Sequence, residues 1–420
     1  MHQKTTLDNG LRLLTANLPH TRSVTLNIFL AAGSRYETDK LAGVAHFIEH
    51  MCFKGTAGYP TSREIATAIE GVGGILNGGT DRELTVYWAK VPDFHFSTAL
   101  DVLSEMVLSS RFEPEEMAKE RNVIIEEISM SLDFPPARSE MLIDELLWPG
   151  HPLGRDIAGT KQSVSGITRD DMLGCLKTRY IPQRTVVSLA GNIQHEAAVE
   201  LVSKAFSRWP KAPLPPDYLP YRVKTPGPRI RVEKRDIEQV NICLALPGLP
   251  LEHPKRYQLD MMNVILGEGS SSRLFCEIRD RLGLTYNIQS HTQYYRDAGS
   301  LNVYAATDPE NLTTLIRAIM EQLSLLREDI PEAELNKAKE LSKGRILLRL
   351  EDSHTVSGWI GSQEILTDRV LSVAEVNSRI EAVTADQIKQ LARELITDHQ
   401  LHLAAVGPVA EVELERLLKL

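Results

Sequence analysis

The segment Trp209–Arg229, WPKAPLPPDYLPYRVKTPGPR, holds seven prolines in 21 residues. Proline fixes φ and removes a backbone donor, so neither a helix interior nor a central strand forms across such a run. It predicts an extended linker over 211–228 between residues 1–210 and 229–420, and the flanking halves look like diverged copies. Apolar strand patterns at Val24–Ala32 and Val240–Pro247 begin 216 positions apart, as do those at Thr185–Ala190 and Leu401–Val406, and each closing strand runs into a glycine, Gly191 or Gly407. That spacing is far longer than a solenoid repeat and indicates a duplicated domain. Helical periodicity falls between the strands at Ser97–Leu108, Pro114–Leu132, Asp260–Leu266 and Asn311–Arg327. The expected fold class is α+β: two homologous domains, each a mixed sheet with packed helices.

A chain with 47 Lys plus Arg and 56 Asp plus Glu has a formal charge of −9. This argues against a general binder of nucleic acid or anionic membrane, which needs a basic surface. Cys52, Cys175, Cys243 and Cys276 form no CxxC pair, so a disulfide scaffold or a cysteine zinc site is not expected. There is no signal-like apolar segment near Met1 and no apolar run of about 18 residues. The expectation is a soluble, cytoplasmic protein.

Residues 46–50 read His46-Phe47-Ile48-Glu49-His50. On a helix the two histidines lie one turn apart on one face with Glu49 beside them, while Val44, Phe47, Ile48 and Met51 supply an apolar opposite face. Imidazoles at i and i+4 can grip Zn²⁺. The competing reading is a pair of ordinary histidines on a solvated face, which a third ligand would displace. Downstream, ERNVIIEE places Glu120 and Glu127 seven positions apart and so on nearly the same helix face, with Glu126 pointing elsewhere. Taken alone, such glutamates read as a solvated face.

HFIEHMCFKG followed by ERNVIIEE resembles the pitrilysin or insulinase family of zinc peptidases, whose inverted motif is HxxEH. The likeness is greatest to the branch that includes the mitochondrial processing peptidases. It extends through LNGGTDRELTVYWAK (Leu76–Lys90), HPLGRDIAGT (His151–Thr160) and, in the second half, RDRLGLTY (Arg279–Tyr286). The resemblance implies that His46, His50 and Glu127 hold one Zn²⁺ per chain and that Glu49 is the general base. It implies a supporting role for Glu120 beside a histidine ligand. Arg279 and Tyr286 would bind substrate backbone and the tetrahedral oxyanion; without the family, a surface arginine and a half-buried tyrosine would be the preferred reading. Asn77, Gly78 and Thr80 fall where relatives present an edge strand to substrate, and Gly78-Gly79 depart from the bulkier residues common there. The implied function is a zinc endopeptidase acting on extended oligopeptides or unstructured segments inside a dimeric chamber. A homodimer is the economical arrangement, and a heterodimer with a zinc-less sister is the alternative to it. The competing class is a non-catalytic scaffold subunit, but His46, Glu49, His50 and Glu127 are all intact.

Overall fold

The expected strands and helices are present in a computed structural model that describes residues 2–222, 229–410, 414 and 416–418. Pro226 and Pro228 of the proline-rich segment lie outside the described residues. The chain forms two compact units. The first takes residues up to Ile128, Arg155–Leu219 and Leu347–Ser372; the second takes Ser129–Gly154, Pro220–Ile346 and the chain from Val373 onward.

The first unit is built on a six-stranded sheet, in the order β1-β2-β6-β3-β5-β4. Its strands are β1 (Gln3–Thr6), β2 (Arg12–Asn17), β3 (Ser23–Leu30), β4 (Ile75–Thr80), β5 (Thr85–Pro92) and β6 (Thr185–Gly191). Only β2 and β6 pair in parallel; the other neighbours are antiparallel. The helices of the first half are α1 (Val44–Cys52), α2 (Ser62–Glu70), α3 (Phe96–Leu108), α4 (Pro114–Asp133), α5 (Pro135–Leu147), α6 (Lys161–Gly166), α7 (Arg169–Arg179) and α8 (His195–Ala205). Central strand β3 is buried at nearly every position, as expected for a strand covered on both faces.

The second unit repeats the plan with strands β7 (Ile230–Lys234), β8 (Val240–Pro247), β9 (Ile288–Tyr294), β10 (Gly299–Thr307) and β11 (His402–Gly407), ordered β7-β11-β8-β10-β9. This order matches β2-β6-β3-β5-β4 strand for strand, and the one parallel pair, β7 with β11, falls in the equivalent place. The helices of the second half are α9 (Arg256–Gly267), α10 (Leu312–Glu328), α11 (Glu332–Arg349), α12 (Ser353–Thr367), α13 (Val373–Glu381) and α14 (Ala385–Leu395). Among the described residues no helix is long and apolar enough to cross a membrane.

The units differ from the contiguous halves 1–210 and 229–420 by an exchange of helices. Helix α5, from the first half, lays Leu142, Ile143, Leu146 and Leu147 against Cys243, Ala245, Ala404 and Val406 of the second sheet. Helix α12, from the second half, packs Val356 and Ile360 with Leu14, Phe29, Val186 and Ala190 of the first sheet. The second exchange is fixed by polar complementarity as well as apolar area. Thr25 Oγ1 bonds Ser353 Oγ at 2.9 Å, and Asn27 Nδ2 donates to Ser357 Oγ at 2.6 Å. Ser188 Oγ donates to Ser357 O at 2.7 Å. Buried polar groups on β3 and β6 are thereby satisfied by a helix from the far end of the chain.

The proline-rich segment has no helix or strand over residues 210–222. Proline lacks a donor but its backbone carbonyls remain acceptors. In the first unit, Gln183 Nε2 donates to Ala212 O at 2.7 Å and Arg179 Nη1 to Pro216 O at 2.8 Å. Arg184 pairs with Asp217 at 2.7 Å. The segment is a strap tied down along its length up to Leu219, not a free tether.

Candidate metal centre

Helix α1 carries HxxEH, and the chain seats it with care. Val44, Phe47, Ile48, Met51 and Cys52 are buried. Gly43, at φ +92°, begins the helix where an added Cβ would lie 2.3 Å from Ala158 O; Gly159, at φ +79°, would meet Ala42 O at 2.3 Å. Only glycine combines that backbone conformation with such close approach. The first amides of the helix are held by the Glu37 carboxylate, whose Oε2 accepts from Gly43 N at 2.8 Å and Oε1 from Ala45 N at 2.7 Å. Burial pushes the Glu37 carboxyl up to about 8, against the pull of those two amides and of Arg155. Below the helix, Tyr87 OH donates to Cys52 Sγ at 3.3 Å and meets Tyr180 OH at 2.9 Å.

Four side chains from α1 and α4 converge. His50 Nε2 lies 3.1 Å from His46 Nε2. Glu127 Oε2 is 3.6 Å from His50 Nε2 and 3.9 Å from His46 Nε2. Ligands on a tetrahedral Zn²⁺ stand about 3.3 Å from one another, so this nitrogen, nitrogen, oxygen set fits such an ion. Two imidazole nitrogens also cannot face each other at that distance without a proton or a cation between them. A carboxylate oxygen of Glu49 groups with one nitrogen of each histidine within 4.8 Å. Burial, reinforced by the neighbouring His50, drops the His46 pKa to about 4, so its ring is a neutral donor at pH 7.

His50 Nδ1 is held by Glu120 Oε1 at 2.8 Å, and the other Glu120 oxygen takes Lys54 Nζ at 2.6 Å. Burial alone would lower the His50 pKa and raise that of Glu120. The pairing reverses both, raising His50 and lowering Glu120. His46 Nδ1, by contrast, is buried without a hydrogen-bond partner. Helix α4 is fastened by Arg121, which donates to Val164 O and, at 2.9 Å, to Ile167 O, while its guanidinium lies 5.4 Å from the Phe47 ring centroid. Glu126 is exposed and takes no part.

Strand β4 borders this centre and lies at one edge of its sheet, with no further strand paired to it among the described residues. Thr80 Oγ1 donates a long 3.4 Å bond to Glu49 Oε2. Gly78 lies so close that an added Cβ would stand 3.0 Å from Glu49 Oε1 and 3.0 Å from Phe53 Cε2. Burial raises the Glu49 pKa, against the attraction of His50 and the Thr80 bond. Asn77 is exposed and accepts from the following amide, Gly78 N, at 2.8 Å. The first unit therefore brings together His46, Glu49, His50, Glu120, Glu127, Gly78 and Thr80. Arg279 and Tyr286 belong to the second unit, where the guanidinium sits 4.6 Å from the Tyr286 ring centroid and the tyrosine is 82% exposed. Sequence reasoning missed Glu37, Lys54 and Arg121. Glu37 acts from outside any motif, while Lys54 lies inside HFIEHMCFKG and Arg121 inside ERNVIIEE without any spacing to set them apart.

Residues 12–161 match the family model for insulinase, peptidase family M16, and residues 166–342 match the model for the M16 inactive domain. An uncharacterised zinc protease of Bacillus subtilis strain 168, YmxG, is 35% identical over 416 residues, covering 97% of this chain and 98% of that one. A probable mitochondrial-processing peptidase subunit beta of Arabidopsis thaliana is 32% identical over 97% of this chain and 78% of its own length. The chain belongs to the M16 family of peptidases, as its HxxEH helix implies. It shares its fold with the crystal structure of a protease from Helicobacter pylori at a TM-score of 0.91, with 24% identity over 97% of this chain and 99% of that one.

Proposed function

We propose that the chain is a zinc-dependent endopeptidase that cuts extended peptide segments held along the edge of β4. The observation that carries this reading is the convergence of His46 Nε2, His50 Nε2 and Glu127 Oε2 beside the buried Glu49 carboxylate. His46, His50 and Glu127 would hold one zinc per chain. When bound, the metal supplies a water of lowered pKa and polarises the scissile carbonyl. Glu49 accepts the proton of the attacking water and returns it to the leaving amine, and its raised pKa suits a group that must hold a proton between the two steps. Glu120 fixes the tautomer and orientation of His50 through Nδ1. An unpaired sheet edge offers N–H and C=O groups to any extended backbone, which supports substrate addition at Asn77, Gly78 and Thr80. We assign to Arg279 and Tyr286 the donors for substrate backbone and oxyanion, a role their chemistry suits.

We further propose a homodimer as the working assembly. The four cysteines are free, which suits a reducing compartment, and we place the protein in the cytoplasm. A scaffold subunit would have no use for Glu49 beside two histidines, and the intact set favours catalysis. The test is to measure zinc content and cleavage of a fluorogenic peptide for the full chain and for Glu49→Gln. The variant should keep about one zinc per chain and lose roughly 10²–10⁴-fold in turnover, the usual worth of general-base catalysis. Equal turnover in the two proteins, or full activity after verified metal removal, would refute the proposal.

A further inference from the structure

Strand β4 presents two unlike faces to anything that pairs with its edge. Gly78 and Thr80 face Glu49, so by the two-residue period Ile75, Asn77 and Gly79 face the other way. Across the ladder, Gly79 pairs with Val86 and Asn77 with Trp88. That second face has an apolar floor. Val86 and Leu84 pack against the cluster that contains Phe29 and Ile360, and the Trp88 ring lies against that of His354, tilted by 40° with centroids 4.0 Å apart. Val86 and Trp88 remain only half-buried. At Gly79 the row is broken: an added Cβ would meet no atom within 4 Å. Gly79 does not have a positive φ, so the backbone does not demand glycine there. The missing side chain leaves the flank of Val86 uncovered beside the edge.

We propose that Gly79 forms a specificity subsite for a large apolar side chain, aromatic above all, at one fixed position of the bound peptide. This rests on the reading that substrate adds as a strand to β4. In an added strand, alternate side chains turn to the face of Gly79, and one stands directly opposite it. With no side chain at position 79, that group lies across the glycine backbone and reaches Val86, with Trp88 on the diagonal within range of a ring. Aromatic side chains cover strand glycines in this way. A small or charged residue at that position gains no apolar contact. The Glu49 face stays the same for every substrate, so selection and chemistry are divided between the two faces of one strand.

The test uses the zinc-loaded full chain and fluorogenic peptides in which each position in turn is Ala, Leu, Phe or Lys. At one position the Phe peptide should exceed the Ala peptide by about tenfold or more in kcat/KM, the scale of burying one large apolar side chain. Gly79→Val occupies the gap and should bring that ratio to within about threefold, and Val86→Thr should lower it from the floor side. Zinc content and melting temperature are recorded for each variant. The same peptides, labelled and titrated onto the Glu49→Gln chain, give dissociation constants that do not depend on turnover. Absence of any position-specific preference in both assays, or an unchanged ratio in a folded Gly79→Val, would overturn the subsite. Selective binding without cleavage by the zinc-loaded wild type would instead leave the subsite standing and defeat the endopeptidase reading.

Discussion

Helix α12 contains two glycines one turn apart whose replacement by alanine should act with opposite sign. Gly358 has no atom within 4 Å of where a Cβ would stand, whereas at Gly361 the Cβ would lie 2.3 Å from Phe29 Cε2, 2.6 Å from Phe29 Cδ2 and 2.8 Å from Ser188 Cβ. Alanine in a helix interior is favoured over glycine by about 1 kcal/mol, and both variants gain this. At Gly361 the gain is opposed by overpacking, which costs about 1–3 kcal/mol in a close-packed core. The overlap exceeds 1 Å against an aromatic ring that is itself buried, so the upper part of that range applies. Gly361→Ala should therefore destabilise by about 1–2 kcal/mol net, while Gly358→Ala stabilises by about 1 kcal/mol. For a unit of this size 1 kcal/mol moves the melting temperature by about 2–4 °C. Scanning calorimetry should show Gly361→Ala lowering the transition of the first unit by about 2–8 °C and Gly358→Ala raising it by about 2–4 °C. If Gly361→Ala stabilised the protein as Gly358→Ala does, α12 would not rest on β3 and β6.

Glu120→Gln keeps the shape beside His50 Nδ1 but removes the charge that orients the ring, so zinc affinity should fall about 10–100-fold in a chelator competition. Lys54 would then lose its carboxylate partner, and restoring neutrality with Lys54→Met should not recover the affinity. Glu37→Ala leaves the amides of Gly43 and Ala45 without their acceptor and should cost about 0.5–2 kcal/mol in denaturant unfolding, with faster zinc loss to chelator. Tyr286→Phe deletes one hydroxyl and should lower kcat by about 10²–10³-fold with zinc content unchanged, as for the loss of one oxyanion donor. A compact disulfide-locked protein should resist cleavage that its reduced, unfolded form undergoes, followed by gel and mass spectrometry, because an edge strand accepts only extended backbone.

The grouping of the candidate residues was legible in local spacing: His46, Glu49 and His50 share one helical turn, and Glu120 and Glu127 lie two turns apart on another helix. Spacing alone left those glutamates as a solvated face, and only the family resemblance joined them to the histidines. The strand patterns were also legible in local spacing: β8 covers the predicted Val240–Pro247, and β6 begins at the predicted Thr185. The exchange of α5 and α12 was not, because an amphipathic pattern says that a helix must pack without saying on what. Thr25 and Asn27 alternate with apolar residues along β3 as though they met solvent. In fact they are buried, and their partners Ser353 and Ser357 lie more than 300 positions away on a helix whose small residues read as an ordinary polar stripe. Glu37 was hidden likewise, since a loop carboxylate that caps a helix leaves no period to detect.

This has a consequence for where the first unit ends. A chain cut within the proline-rich segment loses α12, leaving Thr25, Asn27 and Ser188 without their serine partners and Phe29 without its cover. Each buried polar group so orphaned costs about 1–3 kcal/mol if it stays dry, which is comparable with the whole margin of a folded domain. Residues 1–210 hold every proposed metal ligand, yet the sheet that supports them is covered only when the chain has run on to Thr367. The prolines mark where two copies of a sequence meet, and the folded unit crosses that mark because each copy lends a helix to the other's sheet.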